Sequence, residues 1–482
     1  MNPGIRSRTI RGIGAMSILQ VVGAAANFVT LIALARLLSP RDFGVAAVAS
    51  LVTGFIGTFG DFGLGPAVIQ RTTEVEKALY TANTLRAVIT TSMFAITIVI
   101  AAVAAGAFSA PEATDPIRVV SILFLLNGAL FIPQTRLTKE MKFGIILKAA
   151  LASSLVSAAV SIGMAFLGFG YWTIIIASLI AAAVNLGALW FLARWRIAIV
   201  YDARIARELL GYGKHLFVAT IFTFFVLNID NTGVAILLGP VFLGYYALAF
   251  KWANVPVNFL SKVAAQVMTP AYVLLRDAPD RLRKAYLETV QLITVVSLPV
   301  YLGLFVLADE FVTFALGPDW LPIVAPLRIL CLMGVFRGIA EPGAYLFMAT
   351  GDSRLVSLST GLHLLFLGAL LLPGLVLAGI SGAAWAVAIA YALNLAVVQH
   401  FVRRVLCVGW RDIGRLLRSL LPAGVAMVLI MLALKVAFTP SVVLFLAAVG
   451  IGLAAYLVVI RFLEGDLMAR YVSQVLQARR GA

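Results

Sequence analysis

Apolar runs of about 18 to 29 residues, separated by short polar clusters, recur along the whole chain. A run of that length crosses a hydrocarbon layer of ~30 Å as a helix, with every backbone polar group satisfied inside the segment. The pattern predicts fourteen such helices: 13–37, 43–60, 80–108, 117–135, 143–167, 171–193, 215–238, 241–268, 284–308, 323–349, 355–377, 380–402, 413–438 and 441–462. Arg6, Arg8 and Arg11 precede the first run as a signal peptide's basic region would. That run is too long for a signal peptide, however, and lacks a clear cleavage site, so it reads as a retained helix. An even count puts both termini on one side.

The distribution of charge orients the array. With the amino terminus in the cytoplasm, 30 of the 37 Lys and Arg residues fall in the inner segments. The outer ones keep Arg36, Arg41, Arg118 and Lys435 beside Glu112, Asp115, Asp309, Glu310 and Asp319. This is the positive-inside bias of a multi-pass protein of the cytoplasmic membrane. The net charge of +16 therefore marks the cytoplasmic face and its anionic lipids. It is not a nucleic-acid signal, because no basic soluble domain carries it.

Composition agrees with this reading. Of 482 residues 62% are hydrophobic and 12% charged, with mean hydropathy +1.03. A soluble domain carries about 25% charged residues. The two cysteines, Cys331 and Cys407, have no metal-like spacing, and His215, His363 and His400 are scattered, so no metal or other cofactor is expected.

A repeat underlies the array. Residues 35–49 (ARLLSPRDFGVAAVA) and 235–249 (AILLGPVFLGYYALA) share seven of fifteen positions at an offset of 200, among them Pro40/Pro240 and Gly44/Gly244. Each copy joins one outward helix to the next inward one. The expectation is a parallel repeat of two six-helix lobes: an N-terminal lobe at 1–193, a cytoplasmic connection at 194–214 and a C-terminal lobe at 215–402. Two appended helices with a cytoplasmic tail follow at 403–482.

The stretches LARLLSPRDFGVAAVASLVTGFIGTFGDFGLGPAVIQR (34–71), IPQTRLTKEMKF (132–143), LLGPVFLGYYALAFKWANVPVNFLSKVAAQVMTPAY (237–272) and LGPDWLPIVAPLRILCL (316–332) resemble bacterial polysaccharide transporters. These are the Wzx-like flippases of the multidrug/oligosaccharidyl-lipid/polysaccharide exporter superfamily, and the resemblance covers roughly residues 10–400. It implies two lobes around a cavity open alternately to either side of the bacterial inner membrane. The implied cargo is an undecaprenyl-diphosphate-linked oligosaccharide unit for lipopolysaccharide, capsule or exopolysaccharide. Membrane lipids and other polysaccharide-assembly proteins are the implied partners. No tight motif of that family transfers a functional residue, so the site is sought among the costly groups of the spans.

An ionisable side chain mid-membrane costs about 2.5–3.5 kcal/mol on insertion scales, so each one asks for a reason. Lys251 lies near the midplane of the eighth helix, with Asn254 and Asn258 three and seven residues on, on one face. Pro256 between them loosens the helix. Arg337 and Glu341, four apart on the tenth helix, should pair; the pair either serves the cavity or locks helix packing. Asp230 lies deep in the seventh helix near Asn228 and Asn231. Asp61, in a glycine-rich break, either titrates or turns the chain, and Arg328 lies near enough to the outer surface to snorkel. Gln20, Asn27 and Thr30 form a milder stripe that serves either substrate or helix packing.

On this reading Lys251 and Arg337 attract the carrier diphosphate, while Asn254, Asn258 and Asn27 contact sugar. Asp230, Glu341 and Asp61 are the candidates for ion coupling. A membrane-embedded polysaccharide-assembly enzyme would need carboxylates or histidines gathered in a sizeable outer loop, and the longest such loop has about 14 residues. No Walker sequence is present, so ATP is not the direct energy source. A cation-coupled drug exporter of the same superfamily fits the architecture equally well. It would favour an acidic or aromatic cavity over one holding Lys251 and Arg337.

Overall fold

A computed structural model describes residues 22–60, 62–193 and 200–463, and almost all of them are helical. In chain order the helices are α1 (Val22–Leu37), α2 (Pro40–Thr58), α3 (Leu64–Gln70), α4 (Val75–Ala107), α5 (Thr114–Val120), α6 (Ile122–Ala129), α7 (Phe131–Lys139), α8 (Phe143–Phe166) and α9 (Trp172–Ala193). They continue as α10 (Ala203–Leu238), α11 (Pro240–Leu274), α12 (Pro279–Val306), α13 (Ala308–Phe311), α14 (Val324–Thr350), α15 (Ser353–Leu406), α16 (Trp410–Ala437) and α17 (Val442–Leu463). Nine helices among the described residues are long and apolar enough to cross a membrane, ten if a bent pair is one span. The described parts of the predicted apolar runs are mostly helical, with turn residues at several ends and within the fourth.

One run is interrupted, and two others share a helix. The fourth run is divided into α5, α6 and α7, with a bend of 42° between the segment ending at Ala129 and α7. Pro133 lacks the N–H that would bond the Ala129 carbonyl, which loosens the helix at that joint. The eleventh and twelfth runs share α15, which turns at Ala378 and Gly379. Gly379 has φ +56°, a conformation that disfavours a side chain, and the turn falls in the predicted gap between 377 and 380.

The chain divides into two compact units between Gly244 and Tyr245. In the N-terminal unit Ser39 caps α2 through a reciprocal box with Asp42, whose Oδ2 accepts from the Ser39 amide at 2.9 Å. The other oxygen of Asp42 accepts from the Tyr171 amide at 2.9 Å, which ties the start of α9 to that corner. At the opposite end, Lys139 Nζ donates to the carbonyls of Val68, Ile69 and Arg71, which closes the C-terminus of α3. Asp202 caps α10 and meets Lys77 at 2.6 Å. The Lys77 hydrogen bond, helped by the Ile205 amide, holds its carboxyl down at about 2.

The repeated corners meet within this unit. A Cβ on Gly44 would overlap the Pro240 carbonyl, and a Cβ on Gly244 would overlap the Pro40 carbonyl. The contact is reciprocal, as a local two-fold relation between the two Pro–x–x–x–Gly corners requires. Substituting Gly44 with leucine should therefore lower the amount of folded protein and its melting temperature in detergent. The strain is backbone against side chain, which no rotamer relieves, and exceeds the ~1–3 kcal/mol of ordinary overpacking. An unchanged melting temperature would contradict that contact.

In the C-terminal unit, α12, α14 and the second half of α15 share an apolar core that includes Tyr286, Phe347 and Phe401. The helices expected to be appended, α16 and α17, pack on α12 through Leu420, Met427, Met431 and Tyr456, whose hydroxyl donates to the Val295 carbonyl at 3.0 Å. Lys435 on α16 pairs with Asp309 and Glu310 at 3.1 and 3.0 Å. Arg328 also meets Asp309, at 2.6 Å, so it is pinned in an ion cluster. Burial opposes ionisation of Asp309, but the hydrogen bonds from Lys435 and Arg328 hold its carboxyl below the usual range.

Candidate functional site

In the C-terminal unit the polar residues of the eighth and tenth predicted helices come together. Arg337 Nη1 donates to Asn254 Oδ1 at 2.6 Å, joining α14 to α11. Arg337 Nε donates to Glu341 Oε2 at 3.1 Å, the predicted i, i+4 pair. Asn254 is buried, and its Nδ2 donates back to the Phe250 carbonyl at 2.8 Å. Its amide therefore works as a bracket for the guanidinium. Guanidinium and carboxylate retain 18% and 23% of their side-chain exposure, so both stay open to solute.

The local fold positions these groups through small residues. Tyr301 on α12 reaches across to donate to the Ala253 carbonyl at 3.0 Å, next to Asn254. Its ring occupies the space a side chain at Gly334 would take, so the glycine of α14 admits the brace. Pro342 follows Glu341 inside α14 and leaves the Gly338 carbonyl without its helical donor.

Lys251 and Asn258 flank this centre on α11, each exposed on its unit. The predicted polar face thus has a buried middle, committed to Arg337, and two open ends. The bonds to Asn254 and Glu341 use two of the five guanidinium N–H donors, and a phosphate oxygen suits the other three.

In the N-terminal unit Asp230 on α10 is buried at 1% exposure. Asn231 Nδ2 donates to Asp230 Oδ1 at 3.3 Å. Asn228 turns away, its Nδ2 donating to the Phe224 carbonyl at 3.0 Å, so only one of the two expected asparagines supports the carboxylate. Asn27 on α1 is exposed, while Thr30 bonds the Ala26 carbonyl at 2.8 Å within its own helix. Asp61 and Gln20 lie outside the described residues.

Sequence reasoning passed over His363. It is buried in α15, its Nδ1 is 3.3 Å from the Ala390 carbonyl, and its ring lies 4.3 Å from that of Tyr391. A lone histidine in an apolar run carries no spacing signal that would have singled it out. Among the described residues no group of three or more His, Cys, Asp or Glu side chains is placed to hold a metal ion.

Residues 33–325 match the polysaccharide biosynthesis protein family, which is more than half of the chain. The chain belongs to that family. Among its relatives are the lipopolysaccharide biosynthesis protein WzxC of Escherichia coli K12, 26% identical with 72% of this chain and 70% of the relative covered. The succinoglycan biosynthesis transport protein ExoT of Rhizobium meliloti is 26% identical over 71% of this chain and 69% of its own length. The teichuronic acid biosynthesis protein TuaB of Bacillus subtilis is 24% identical over 72% of each. The fold is shared with the lipid II flippase MurJ in an inward closed conformation, at TM-score 0.76 and 16% identity over 94% of this chain and 99% of that one. An inward-facing MATE multidrug transporter aligns at TM-score 0.63 and 15% identity over 80% and 94%. Within the family this chain is a multi-span helical membrane protein whose arginine site sits on α11 and α14.

Proposed function

We propose that the chain is a flippase that moves undecaprenyl-diphosphate-linked oligosaccharides from the cytoplasmic to the periplasmic leaflet of the bacterial inner membrane. The observation that carries the reading is Arg337, bracketed by Asn254 and Glu341 in a unit otherwise built from apolar helices. A guanidinium held this way in low dielectric attracts a diphosphate strongly and needs no reorganisation to do so. Lys251, one turn before Asn254, adds a second cation, and Asn258 and Asn27 offer amides to sugar hydroxyls. Membership of the family, and relatives named for lipopolysaccharide, succinoglycan and teichuronic acid biosynthesis, supply the class of cargo.

Alternating access would proceed by rocking of two six-helix lobes, with both termini in the cytoplasm and the basic segments on the inner face. The chain acts as a transporter and makes no covalent change to its cargo. The multidrug reading is disfavoured by the sign of the site, because organic cations are repelled by Lys251 and Arg337.

Deleting the gene tests this reading. A lipid-linked glycan should accumulate on the cytoplasmic leaflet while the matching surface polysaccharide is lost. Normal surface polysaccharide, together with raised sensitivity to cationic drugs, would support the exporter instead.

A further inference from the structure

His363 lies ~15 Å along the first half of α15 from its start, inside a helix apolar enough to span the membrane, and only 3% exposed. Its Nδ1 faces the Ala390 carbonyl at 3.3 Å. A carbonyl only accepts, so Nδ1 carries the ring proton and Nε2 is left as a bare acceptor. Nε2 is buried and has no hydrogen-bond partner among the described residues. Leaving a buried polar group unpaired costs ~1–3 kcal/mol, which a merely structural histidine would avoid.

A second orphan lies one turn from the first contact. Asn394 Oδ1, in the second half of α15, is also buried and without a partner among the described residues. In a helix the Ala390 carbonyl points toward residue 394, and the side chain of residue 394 leans back toward the amino end. The His363 ring, held at that carbonyl, therefore sits beside Asn394. Two neighbouring acceptors lack one donor. A proton on Nε2 supplies it, because the imidazolium Nε2–H then donates to Asn394 Oδ1.

The charges nearby decide when that proton arrives. Within α15 the ring meets Tyr391, 4.3 Å away between centres. On α14, Arg337 is close enough for its charge to act on the ring, and Tyr301 of α12 stands within the same kind of reach of Arg337. Glu341 pairs with Arg337 at 3.1 Å, so the two together offer the ring little net field. An anion seated on Arg337 tips that balance toward negative and favours the imidazolium. By linkage, the protonated ring strengthens binding of the anion by the same factor.

We propose that His363 and Asn394 form a proton-binding site that fills when a diphosphate binds at Arg337, with Nε2 taking its proton from the aqueous phase that delivers the anion. The inference rests on the transport reading for the identity of the anion. A proton taken up in this way offsets one charge of the cargo.

The test is calorimetric. Full-length protein in lipid nanodiscs is titrated with symmetrical dimethyl diphosphate, a diester whose two charges do not titrate near neutral pH. Repeating the titration in buffers of different ionisation enthalpy gives the protons taken up per diester bound. The wild type should take up at least half a proton more than His363→Gln. Its affinity should rise at least threefold from mildly alkaline to mildly acid buffer, and that of His363→Gln should stay level. Asn394→Ala, which keeps the ring and removes the acceptor of its new N–H, should take up less than the wild type. Uptake by His363→Gln equal to that of the wild type would overturn the proposal, and a water bridging the two acceptors would then explain them. Should the glutamine variant fail to fold, equal uptake by Asn394→Ala overturns it instead, as does a wild type that does not bind the diester. Equal uptake with export still lost in Arg337→Ala removes this site alone. Uptake lost in His363→Gln with export normal in Arg337→Ala removes the transport reading alone.

Discussion

Export of the surface polysaccharide should fall at least tenfold in an Arg337→Ala variant whose abundance in the membrane stays near normal. Tenfold corresponds to about 1.4 kcal/mol, a modest loss for a binding site deprived of its central cation. The substitution removes the donor to Asn254 Oδ1 and the guanidinium that pairs with the Glu341 carboxylate. A purely structural role for the pair predicts lost protein instead of lost export. The Arg337→Ala/Glu341→Ala double variant separates the two, since removing both charges relieves the unpaired carboxylate. Abundance should stay near normal in it as well, and export should stay low. Lys251→Ala should also lower export, and Lys251→Arg should retain more of it. Normal export by both alanine variants would assign Arg337 and Lys251 to packing.

The second large effect is expected at Asp230. A secondary transporter needs a group whose charge changes with ion binding, and a carboxylate deep within a helix suits that role. Asp230 is at 1% exposure with the Asn231 amide on its Oδ1, so any ion or proton it takes is held away from bulk water. In proteoliposomes Asp230→Asn should abolish net transport driven by an imposed proton or sodium gradient while the lipid-linked substrate still binds. Glu341 is the weaker candidate because it is already engaged by Arg337 at 3.1 Å. Full gradient-driven transport by Asp230→Asn would move the coupling role to Glu341 or Asp61.

Much of the architecture was legible because membrane helices announce themselves by length and polarity alone. The gap between the runs ending at 377 and starting at 380 fell on the turn at Ala378 and Gly379. The breaks between α5, α6 and α7 were not visible, since the residues around them are as apolar as the helices they separate. The Pro–x–x–x–Gly repeat was readable as a pattern. Its reason, two helix corners packed backbone to backbone at Gly44 and Gly244, was not.

The site was legible only in its local part. The Arg337–Glu341 pair follows from i, i+4 spacing on one helix. The Arg337–Asn254 bond joins residues 83 positions apart, and no periodicity encodes that. Arg86 was counted with the cytoplasmic charges, because a basic residue near the start of an apolar run reads as interfacial. It lies instead on a cavity well inside α4.

The most direct measurement is flipping itself. The purified chain is reconstituted into liposomes holding a fluorescent undecaprenyl-diphosphate-linked oligosaccharide, and the fraction accessible to a membrane-impermeant quencher is followed in time without ATP. The account predicts that the chain speeds exchange between leaflets well beyond protein-free liposomes, and that Arg337→Ala removes the acceleration. Exchange no faster than in protein-free liposomes, from protein shown to be folded and correctly inserted, would contradict it.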